Sequence, residues 1–69
     1  MKVIIKDCTQ SYILAKVVKD IDPNKLDVSM LITLQVRDIF ILEGKTWAIT
    51  LKQFDVDANI LTFYVSLRR

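Results

Sequence analysis

The sequence predicts an all-β fold: a single small domain over residues 1–69, built as an antiparallel barrel or sandwich of five to six strands. Three observations predict it. Apolar and polar residues alternate with period two through several stretches, the stretches are separated by Asp, Asn, Gly and Pro clusters, and 52% of the 69 residues are hydrophobic.

The first element is a short strand, Val3 to Lys6, closed by Asp7-Cys8-Thr9-Gln10. A second strand is expected over Ser11 to Lys19, where Tyr12, Leu14 and Val18 alternate with Ile13, Ala15 and Val17, so that both faces are apolar. The Asp20-Ile21-Asp22-Pro23-Asn24 segment then reads as a turn, because Pro presets φ and Asp and Asn bond their own backbone.

Leu26 to Val36 is expected to be a long central strand, the axis of the domain. Leu26, Val28, Met30, Ile32, Leu34 and Val36 alternate with Asp27, Ser29, Leu31, Thr33 and Gln35, and the β-branched members favour extended backbone. A fourth strand follows at Ile39 to Leu42, and Glu43-Gly44-Lys45 supplies a positive-φ turn with the only glycine. Thr46 to Phe54 is the fifth strand, with Trp47, Ile49 and Leu51 sharing a face. The last strand is Ile60 to Leu67.

Sliding the chain by 35 positions lays Asp20, Asp22, Asn24 and Leu26 on Asp55, Asp57, Asn59 and Leu61, and Tyr12 on Trp47. The register suggests two similar three-stranded meanders, although convergent turn chemistry explains it as well. Lys16 breaks the match by standing where the second half has Leu51. Either it snorkels, or a bulge near Ala15 turns Val17 inward.

Catalysis is not expected. The chain has no His, so triads built on it cannot form, and the Asp20/Asp22 and Asp55/Asp57 pairs fall in expected turns. These Asp-x-Asp-x-Asn runs also lack the Gly and Glu of a calcium loop. No cofactor or metal is expected. Cys8 is the single cysteine, which rules out an internal disulfide and suits a reducing compartment. Met1 begins no signal-like run and no apolar stretch approaches a membrane span, so the expectation is a cytoplasmic protein without membrane contact.

A core of this size is marginal without cross-links, which points to a homo-oligomer. Ile4, Ile13, Ala15, Val17, Phe40 and Leu42 are the candidate interface, since two apolar faces on the early strands exceed what one small barrel covers. The expected activity is non-enzymatic protein binding, as an inhibitor-like factor, an adaptor or an assembly subunit, including the subunit of a larger particle. A compact chain of this kind also suits a phage or mobile element. The competing reading is a nucleic-acid, nucleotide or phosphate binder, with Arg37, Lys45, Lys52, Tyr64, Arg68 and Arg69 as contacts. A net charge of +2 is mild for that role, and Trp47, in phase with Ile49, reads as core rather than as a stacking platform.

Overall fold

The computed structural model of the protein describes residues 1–22 and 29–68. The expected turn and strand positions at Pro23, Asn24, Leu26, Asp27 and Val28 lie outside the described residues, as does Arg69. The fold is all-β: one five-stranded mixed sheet curled into a half-barrel, plus a single helical turn. Its strands are β1 (Lys2–Asp7), β2 (Lys16–Ile21), β3 (Ile39–Leu42), β4 (Lys45–Asp55) and β5 (Ile60–Leu67), in spatial order β2-β1-β5-β4-β3. Three pairings are antiparallel, as the hairpin signals predict; β1 and β5 run parallel.

The axis of the sheet is β5. It is flanked by β1 and β4, and its alternation places Leu61, Phe63 and Val65 on the concave face. Val3 and Ile5 of β1 pair with Leu61 and Phe63, and Ile49 of β4 pairs with Val65. With Ile21 and Trp47 they form one buried cluster. Trp47 is core, and its indole N–H donates to the Leu42 carbonyl at 3.3 Å.

Within the described residues, the expected central strand at 26–36 is instead a helical turn, Ser29–Ile32, followed by two tight turns. The Leu34 amide donates to the Leu31 carbonyl at 3.1 Å, the Gln35 amide to Asp38 Oδ2 at 2.7 Å, and Arg37 takes φ 82°. Topology explains the change. Both sides of β5 are already occupied, and β2 and β3 lie at opposite edges, so the chain between them must travel from edge to edge. Leu31 and Leu34, three apart, pack on the core during that passage, so a spacing of three carries the burial rather than the period of two. The expected pair of three-stranded meanders is therefore one hairpin (β1-β2) and one meander (β3-β4-β5).

The second strand begins later than its pattern suggests. Ser11 Oγ accepts the Leu14 amide at 3.1 Å, and the Ala15 amide reaches the Tyr12 carbonyl, so local turn bonding takes residues 12–15 out of the sheet. Asp20, expected in a turn, lies in β2 and meets Lys2 at 3.0 Å. A bulge does occur here, at Val18 rather than near Ala15: Ile5 pairs with Lys19 and Lys6 with Val17, which leaves Val18 unmatched. Val18 packs on the core and Val17 faces out.

A second bulge at Thr50 has larger consequences. Ile49 pairs with Val65 and Leu51 with Tyr64, so Leu51 leaves the Trp47 and Ile49 face and Lys52 takes the concave side. The Thr50 hydroxyl donates to the Tyr64 carbonyl at 3.0 Å and therefore accepts from the Cys8 thiol at 3.2 Å. Cys8 is buried as a small core-edge residue. The Glu43-Gly44 turn has positive φ at both residues, 53° and 76°, the conformation a two-residue hairpin requires. The 55–59 turn is closed by Asp55 Oδ1, which accepts the Ala58 amide at 3.0 Å.

Candidate interaction surface

Register assigns the convex face row by row, since residues opposite one another share a face. Val17, Lys6, Tyr64 and Leu51 form one row across β2, β1, β5 and β4. Asp20, Ile4, Thr62 and Gln53 form the next. A shallow groove of about 250 Å³ runs over this area, lined by Ile4, Lys6, Gln53, Asp55, Thr62 and Tyr64 among others.

The loop between β1 and β2 leans onto the same face. The Tyr12 ring meets Tyr64 edge-on with centroids 5.5 Å apart, and Lys6 Nζ lies 5.8 Å from the centre of the Tyr64 ring. Beside Tyr12, Ile13 is 94% exposed and Leu14 is exposed as well. The loop base is held by a polar relay in which Asp7 Oδ1 accepts the Thr9 amide at 2.8 Å and the Thr9 hydroxyl at 2.5 Å. Thr9 Oγ1 in turn accepts the Leu67 amide at 2.9 Å. The Thr9 donors, aided by the charges of Lys45 and Lys16, hold the Asp7 carboxyl below the usual aspartate range.

Of the six expected interface residues, Ile4 and Val17 sit on the convex face, and Ile13 and Ala15 in its flanking loop. Phe40 and Leu42 do not belong there. Phe40 pairs with the buried Trp47, so both turn to the core, and their neighbours Ile39 and Ile41 are the exposed ones. An isolated Ile-Phe-Ile-Leu run carries no phase information; only the partner strand decides which pair faces in. Tyr12 and Leu51 were likewise not legible as surface residues, because their placement depends on a loop fold and a bulge.

The expected cationic contacts do not converge on one aromatic. Lys52 Nζ donates to the Ile32 carbonyl at 2.6 Å and lies over the Phe63 ring on the concave side, whereas Tyr64 faces the convex side. Arg37 occupies the turn before β3, and Arg68 follows β5, its amide bonded to the Thr46 carbonyl. Among the described residues no helix is long and apolar enough to cross a membrane. Compared with known family models, curated proteins and solved structures, the chain matches none.

Proposed function

We propose that this chain is a non-enzymatic binding module that self-associates and acts through protein–protein contacts, with the convex face as its partner-binding surface. The observation that carries the reading is the row Val17, Lys6, Tyr64 and Leu51 with Tyr12 set against it, flanked by the exposed Ile13 and Leu14. Aromatics surrounded by apolar neighbours, with a cation at hand, are the composition of interface centres. Apolar exposure of this extent also exceeds what a solitary surface position needs.

The test is capture of partners from lysate by the tagged protein at low and high salt, with and without nuclease, alongside Tyr64→Ala and Ile13→Lys. The expected result is a retained protein that survives high salt and nuclease and is lost with either variant. Material that is nuclease-sensitive, falls steeply with salt and disappears with Arg37→Glu and Lys45→Glu would replace this reading with nucleic-acid binding.

A further inference from the structure

The two edges of the sheet are built differently. At β2 the edge carries Lys16, Lys19 and Asp20 and is distorted by the Val18 bulge, devices that discourage another strand from pairing. At β3 the edge is Ile39-Phe40-Ile41-Leu42, with no charge, no proline and no bulge. Among the described elements only β4 has Cα atoms within 8 Å of β3.

The direction of the free groups follows from one bond. The Ile49 amide donates to the Asp38 carbonyl at 2.9 Å, which sets the phase of the β3-β4 ladder, so Phe40 and Leu42 turn their backbone groups to β4. Ile39 and Ile41 turn theirs away from β4, to an edge that no other described strand or helix covers. Their side chains are 51% and 75% exposed on the convex side.

We infer that β3 pairs with β3 of a second copy, antiparallel about a two-fold axis at Phe40, to form one sheet continuous through both molecules. The inference rests on the self-association proposed above and names its surface. In this register Ile39 faces Ile41 of the other copy as a hydrogen-bonded pair, and the reverse pair repeats it, so every outward N–H and C=O of Ile39 and Ile41 is satisfied. A two-fold at Ile41 instead would satisfy only the Ile41 groups through their mutual pair and set Ile39 against Glu43. The Phe40 register also brings the four isoleucine side chains of the two copies into one convex cluster. It carries the exposed Arg37 of each copy toward the exposed Glu43 of the other; Glu43 Oε1 already lies 3.8 Å from Lys19 Nζ of its own chain, a loose solvent-exposed contact that leaves room for a second cation, and this match of opposite charges favours this chain over an unrelated strand. A four-residue strand makes a small interface, so assembly is expected in the micromolar range.

Sedimentation at tens of micromolar tests it, with Ile41→Pro as the disruptor. The Ile41 amide faces away from β4, so proline is compatible with the fold while removing two of the intermolecular bonds and obstructing the approach. The wild type is expected to be a dimer, and Ile41→Pro, with unchanged circular dichroism, to dissociate on the order of tenfold to a hundredfold more readily. Should that variant fail to fold, cross-linking decides: an oxidised mixture of Ile39→Cys and Ile41→Cys is expected to give a disulfide-linked dimer, and either alone far less. A wild-type monomer overturns this inference and self-association together. A dimer that survives a folded Ile41→Pro, or that cross-links through Ile41→Cys alone, preserves self-association and removes this register.

Discussion

The β3-β4-β5 meander and the N-terminal hairpin with its loop both divide their apolar residues between core and surface, but by different means. The meander puts Trp47, Ile49, Leu61, Phe63 and Val65 into the core and leaves Ile39, Ile41, Leu51, Phe54 and Val56 exposed, whereas the hairpin contributes Val3, Ile5 and Ile21 and leaves Tyr12, Ile13, Leu14 and Val17 exposed. The meander supplies the larger share of the core and exposes the rest along its strands and the β4-β5 turn, whereas the hairpin gathers most of its exposed apolar residues in one loop. In a chain with so small a core, that division separates residues whose loss unfolds the protein from residues available for contact.

The sharpest way to break the comparison is Phe63→Ala, because Phe63 is 1% exposed at the middle of the central strand. Truncation there is expected to cost about 3–5 kcal/mol and lower the melting temperature by roughly 15 °C or more, measured by thermal circular dichroism. A cost below about 1 kcal/mol would show that the meander is not the stabilising half. Next comes Gly44→Ala at the β3-β4 turn. Nothing lies within 4 Å of the added methyl, so the expected loss of about 1–2 kcal/mol comes from the backbone at φ 76° and not from a clash. Chemical denaturation reads it directly.

Thr9→Val probes how the exposed loop is fastened. Removing the hydroxyl leaves the Leu67 amide without its acceptor and Asp7 with only the residue 9 backbone amide, with an expected cost of about 1 kcal/mol at neutral pH. Because the folded Asp7 carboxyl titrates below its unfolded value, its contribution is present above that unfolded value, near pH 4, and is lost as pH falls through the folded value. The wild type should therefore lose stability on acidification in that window more steeply than Thr9→Val, as pH-resolved melting would show. An equal slope would assign the acid response to another carboxylate. The smallest effect is expected for Ile13→Ser, within about 0.5 kcal/mol, since a side chain this exposed contributes little to the core. A loss beyond 1 kcal/mol would place the loop in the stabilising half.

These two halves also differ in how much of them can be read from the residues. β3 and β5 follow their patterns residue for residue, β4 extends one residue beyond the expected strand at each end, and the Glu43-Gly44 turn takes the conformation its glycine calls for. Local signals suffice there because each strand pairs with its sequence neighbour through a short turn. The hairpin loop and the crossover obey longer-range demands. Ser11 and Asp38 claim backbone amides that strand pairing would otherwise use, and the described part of the crossover, 29 to 36, is spent on a helical turn and tight turns. Of the contact surface, Ile4, Ile13 and Val17 were legible as apolar residues in excess of one core. Leu51, Ile39 and Ile41 were not, because the Thr50 bulge and the pairing of Phe40 with Trp47 decide their faces.

The sequence by itself determined the all-β class, the Glu43-Gly44 and 55–59 turns and the alternating core of the last strand, since these depend on side-chain period and on φ preferences within a few residues. Tertiary structure decided which strand is central, the parallel pairing of β1 with β5, the phase of β3 and the bulges at Val18 and Thr50. Each of those is a choice of partner, and a strand's partner is set by competition among all the strands for the same backbone hydrogen bonds.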